Sequence, residues 1–179
     1  LVQGDFVAGR RGDLADDRVL GGAQGVLHLH RFHDGHRLPG NDAIAEFTRP
    51  FNEHITVIPT CIDLQEYQVR PTAGDGARTI IGWMGTTGNL PFLEVCAPAL
   101  RELAGRFDFE LRLIAGEATP LEAIDLGGVN VRFIPWRGET EVRELSQFDI
   151  GLMPLPEGQP WMRYKCGLKL LQYMAVGIP

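Results

Sequence analysis

Apolar positions along the chain fall into two textures. Up to residue 40 they keep no sustained period; the stretch is rich in Gly, Arg, Asp and His, with Gly21-Gly22 and Leu38-Pro39-Gly40 as turn formers. Residues 1–40 are therefore expected to be irregular or poorly ordered. From Asn41 the texture changes: Ala43, Ile44, Phe47 and Phe51 recur at helical spacing behind a capping Asn41 or Asp42, which predicts a short helix. Ile55-Thr56-Val57-Ile58, β-branched and closed by Pro59, predicts a strand, and the polar Pro- and Gly-bearing run from Pro71 to Ala77 a linker.

Beyond the linker the pattern is regular. Thr79-Ile80-Ile81-Gly82-Trp83-Met84 reads as a buried strand entering the turn Gly85-Thr86-Thr87-Gly88-Asn89. Leu93, Cys96, Leu100, Leu103 and Phe107 then form the apolar stripe of a helix. Further strands are predicted at 110–115, 129–134 and 148–153. A short helix marked by Val142, Leu145 and Phe148 opens after Thr140, and a last helix over 168–175 is stopped by Gly177 and Pro179. Alternating strands and helices predict an α/β, doubly wound parallel sheet. Such sheets take ligands beyond the C-terminal strand ends, so the informative residues follow Met84, Ala115, Ile134 and Met153.

Composition narrows the class. Of 179 residues, 44% are hydrophobic and 22% charged, enough apolar content for a packed core and against disorder. A net charge of −6 gives no general pull toward nucleic acid or anionic lipid, so phosphate binding would need local geometry. No apolar run approaches the length of a membrane span and no signal peptide is recognisable, while Leu1 suggests a missing start. Cys61, Cys96 and Cys166 are too scattered for a disulfide framework or zinc site, which suits a reducing cytoplasm.

Three strand-end segments can carry chemistry. The glycines around Gly85, Thr86 and Thr87 let backbone amides approach an anion at a helix start, or simply make a tight turn. Trp136, in Pro135-Trp136-Arg137-Gly138-Glu139, could hold a nucleobase or cap the sheet edge. In Met153-Pro154-Leu155-Pro156 and Trp161 to Pro179, Arg163, Lys165 and Lys169 offer cations for a diphosphate, and Gln172 offers a donor and an acceptor for vicinal hydroxyls.

This third segment, with Ile81-Gly82-Trp83-Met84-Gly85 and Val57-Ile58-Pro59-Thr60-Cys61-Ile62-Asp63, resembles the C-terminal domain of retaining GT-B glycosyltransferases of family 4. The resemblance covers residues 41–179. It implies a remnant of the N-terminal domain and linker over 41–78, and an incomplete Rossmann-like donor-binding domain over 79–179. The expected function is transfer of a sugar from a UDP- or GDP-linked donor to an acceptor, a glycan or lipid-linked sugar, with retention and without metal or cofactor. Gly85, Thr86, Thr87, Trp136, Tyr164, Lys165, Lys169 and Gln172 are then the donor-binding residues. The family's Glu-x7-Glu pattern reads Tyr164 and Gln172 here, which keeps open an inactive donor-binding or scaffold domain. A chain cut at both ends would expose a sheet edge for self-association, and the parent enzyme could sit peripherally on a membrane. Nucleic acid is not an expected partner.

Other features weigh less. His28, His30, His33 and His36 lack a periodicity that would present them together to a metal, and Arg11-Gly12-Asp13 is an adhesion tripeptide by letters only. Cys166 reads as a small residue packing at a helix start, with activation by Lys165 as the other reading. Glu139, Glu141 and Glu144 read as a solvated helix face.

Overall fold

The computed structural model describes residues 21–22, 25–26, 30–31, 35–69 and 78–179. The linker expected at 71–77, the tripeptide at Arg11 and both His28 and His33 lie outside the described residues. The chain divides into two compact units: Leu1–Thr60 with Pro160–Cys166, and Cys61–Gln159 with Gly167–Pro179. The division falls before residue 79 because Ile62 and Tyr67 pack into the core of the second unit.

In the first unit, β1 (Gly21–Gly22) pairs antiparallel with β2 (Gly25–Val26), and β3 (His30–Arg31) with β4 (Arg37–Leu38). Two-residue strands are too short for alternation to register in a sequence, which is why a stretch expected to be irregular holds these pairings. Helix α1 (Asp42–Thr48) is capped as expected: Asn41 Oδ1 accepts from the Ile44 amide at 2.9 Å, and Ile44 and Ala45 are buried on its inner side. The strand expected at 55–58 is reduced to one parallel bridge between Arg37 and Ile55. The Thr56 amide donates to Arg37 O and the Ile58 amide to Pro39 O, each at 3.0 Å, before Pro59, which has no amide to give.

The second unit is α/β. Its parallel sheet has four strands, β5 (Thr79–Met84), β6 (Phe109–Ala115), β7 (Val131–Pro135) and β8 (Ile150–Gly151), in the order β7-β6-β5-β8. Strand order reverses between β5 and β8, as in Rossmann-like folds, and the crevice beyond their C-terminal ends is where such sheets take ligands. Instead of one helix after β5, a 3-10 helix (Thr87–Val95) is followed by α2 (Ala97–Ala104). Pro91 lies inside the first, whereas Pro98 sits at the start of the second, where an N–H would have no intrahelical acceptor and its loss costs nothing. The apolar stripe survives the break in Leu93 and Leu100, but Phe107 lies past the helix end and is exposed. Strand β8 is shorter than its apolar run because regular pairing covers two residues; Asp149 N to Ile80 O and Leu152 N to Gly82 O, both 2.8 Å, extend it. Helices α3 (Glu141–Leu145) and α4 (Leu168–Ala175) complete the unit.

Period-two alternation sends side chains to both sheet faces. Trp83, Leu111, Leu113 and Ala115 pack with Leu90, Leu93 and Leu100 in one core; Met84 and Ile114 pack with Leu145, Phe148, Tyr173 and Val176 in the other. On the second face Gly82 and Gly151 are register partners. A Cβ on Gly82 would stand 2.1 Å from the Phe148 ring, and one on Gly151 2.4 Å from the Tyr173 ring. The two rings therefore rest on bare backbone, and the Tyr173 hydroxyl donates to Leu152 O at 3.1 Å. The buried Arg112 is paired: Nε donates to Glu110 Oε1 and Nη1 to Gln147 Oε1, both at 2.6 Å. Among the described residues no helix is long and apolar enough to cross a membrane.

Candidate functional site

The β5 end of the crevice is built from backbone and one lysine. The Gly85 amide donates to Ile114 O at 3.0 Å, fixing the turn to β6. A Cβ on Gly85 would meet the Trp83 ring at 2.8 Å and Lys169 Cε at 2.9 Å, so the lysine stem lies across a residue that must be glycine. Lys169 Nζ stands 5.3 Å from the centroid of the buried Trp83 ring, a cation–π distance. Thr86 is exposed and its Oγ1 accepts from Asn89 Nδ2 at 2.9 Å; Thr87 Oγ1 accepts from the Glu117 amide at 3.1 Å. The two threonines thus shape the loop with their hydroxyls. Thr87 and Gly88 start the 3-10 helix, where an amide has no acceptor within its own helix.

Four side chains meet a short distance along α4. Gln172, three residues after Lys169 and so on the same side of the helix, is buried. Its Nε2 donates to Tyr67 Oη and to Glu141 Oε1, each at 2.8 Å. The Tyr67 hydroxyl donates to the same Glu141 oxygen at 2.5 Å, and Trp136 Nε1 donates to Glu141 Oε2 at 2.7 Å. Glu141 is therefore no solvated helix-face residue: its carboxylate organises donors from three other segments. Burial, then the adjoining Glu141, pushes the Tyr67 phenol up to about 12. Trp136 keeps 48% of its surface exposed, so its indole is anchored by one edge while a large part of it faces solvent.

Of the residues expected to bind a donor, Gly85 and Lys169 come together, Thr86 and Thr87 adjoin them in the chain, and Trp136 and Gln172 are joined through Glu141. Gln172 differs from expectation in that its amide nitrogen is engaged by protein. Tyr164 and Lys165 belong to the first unit. There the Tyr164 ring meets Phe47 edge-on with centroids 6.0 Å apart, and Arg163, paired with Glu46 at 2.9 Å, stacks on it. Lys165 Nζ lies 4.7 Å from the Trp161 ring centroid, and burial lowers its pKa. Cys166 packs at the site of Gly40, where a Cβ would come within 2.7 Å of its sulfur.

Glu141 and Tyr67 are the residues that sequence reasoning missed. The signal available for Glu141 was its place at the start of a helix just after the Trp136 loop, but two neighbouring glutamates masked it. Among the described residues no group of three His, Cys, Asp or Glu side chains is placed to hold a metal ion. No protein-family model matches the chain, and no curated protein matches it.

Proposed function

We propose that the second unit holds the nucleotide part of a UDP- or GDP-linked sugar, as the donor-binding portion of a retaining GT-B glycosyltransferase of family 4. The observation that carries this reading is Lys169 lying across Gly85 at the crevice end of β5, with Trp136 half exposed at the end of β7. In this reading the ammonium of Lys169 and the helix-start amides of Thr87 and Gly88 take the diphosphate, whose negative charge grows as the sugar leaves. Trp136 offers its ring to the base. Donor binding without transfer is the second reading, favoured by Tyr164 and Gln172, neutral where the resembling family has glutamates.

Isothermal titration with UDP, GDP and ADP tests the proposal. Either UDP or GDP is expected to bind more tightly than ADP, with Lys169→Ala weakening that binding by about 10- to 100-fold, the value of one charge-assisted contact. A folded protein that binds none of the three overturns it. Release of free sugar from the preferred donor would separate the two readings.

A further inference from the structure

Glu141 accepts three hydrogen bonds, two on Oε1 from Tyr67 and Gln172 and one on Oε2 from Trp136. A carboxylate is the side chain that can do this, because it is acceptor-only and has about four lone-pair sites; an amide has a single acceptor oxygen. The donors come from the 61–69 segment, from α4 and from the β7–α3 loop. Tyr67 is 9% exposed and Gln172 6%, so two of them are fixed by packing, while Trp136 at 48% is not. The buried pair thus sets the carboxylate, and the carboxylate sets the indole.

We infer that Glu141, braced by Tyr67 and Gln172, is a positioning residue that fixes the Trp136 ring as a stacking platform for the nucleobase of the ligand. The inference rests on the nucleotide-binding reading above and extends it. Gln172 consequently acts on the site through Glu141. Stacking on a pre-oriented aromatic ring is tolerant of base identity, so this platform supplies affinity for any nucleobase and leaves discrimination among bases to other contacts.

A double-mutant cycle on the full chain tests it, with Glu141→Gln and Trp136→Ala separately and together, read as affinity for whichever of UDP and GDP binds better. Glu141→Gln is expected to weaken binding by about tenfold when Trp136 is present and by less than about twofold when it is absent, since stacking is the contact being lost. Equal losses in both backgrounds, or none, overturn the positioning role. Tyr67→Phe removes one donor with little change of shape and is expected to give a smaller loss with the same dependence on Trp136; it carries the test if Glu141→Gln does not fold. In the ligand-free protein, the Trp136 indole N–H resonance, assigned by Trp136→Phe, should shift and exchange faster with solvent in Glu141→Gln. An unchanged resonance defeats the positioning role even where nucleotide binds. Normal protection of that N–H in a protein that binds no nucleotide defeats the platform and the nucleotide reading together.

Discussion

Two glycines illustrate how much a missing atom decides at the scale of single residues. Gly82→Ala would drive a methyl group into the Phe148 ring at 2.1 Å, and neither the ring nor a central strand can move away without disturbing the core. Its expected cost is about 3 kcal/mol, at the upper end of overpacking. Gly105 is the control: it ends α2 with φ −74°, and an added Cβ meets only Glu102 O at 3.5 Å. Gly105→Ala should be neutral or stabilising by up to about 1 kcal/mol, through a less flexible unfolded chain. Urea denaturation of both variants checks the pair, and equal stabilities would contradict the packing described.

At the scale of elements, the hydrogen bonds around Glu141 bind the 61–69 segment to α3 and α4, and their strength should depend on pH. Tyr67 ionises near 10.0 when unfolded and near 12 when folded, so between those values the folded state keeps a proton that the unfolded state has lost. Its contribution is complete below pH 10 and fades as pH rises toward 12. Tyr67→Phe should therefore lose less stability across that window than the wild type, measured by denaturant titration at pH 8 and pH 11. The elements themselves were unequally legible. β5, β6 and α4 could be read because each is a sustained apolar pattern with clear stops. The short length of β8 and the 3-10 form of the segment around Pro91 could not, since both depend on neighbouring strands and turns rather than on local periodicity. The candidate site was half legible. Trp136 follows from its place at a strand end and Lys169 from the first turn of the last helix, whereas Glu141 draws Tyr67 from 74 residues away and Gln172 from 31, separations that no spacing rule encodes.

Across the whole molecule, the charge of −6 means that an anionic ligand must be held by local cations and amides against the overall field. Binding should accordingly raise thermal stability in proportion to the logarithm of nucleotide concentration, by about 2.7 kcal/mol at one hundred times Kd. A generic polyanion such as heparin should give no such shift. Thermal denaturation with the preferred nucleotide and with heparin in parallel distinguishes a built site from diffuse attraction, and equal shifts would speak against the site.

Strands β5 and β8 read alike, Ile81-Gly82-Trp83-Met84 beside Ile150-Gly151-Leu152-Met153, and share only two ladder positions. So few backbone bonds hardly distinguish one alignment from the next. A slip of one residue would set a side chain where a glycine now lies beneath Phe148 or Tyr173, and the ring would have nowhere to go. The glycine pair thus works as a keyway, and the two aromatic rings as keys that seat at a single alignment. What holds β5 and β8 in step, and with them the helix that carries Lys169 and Gln172, is a pair of matching absences.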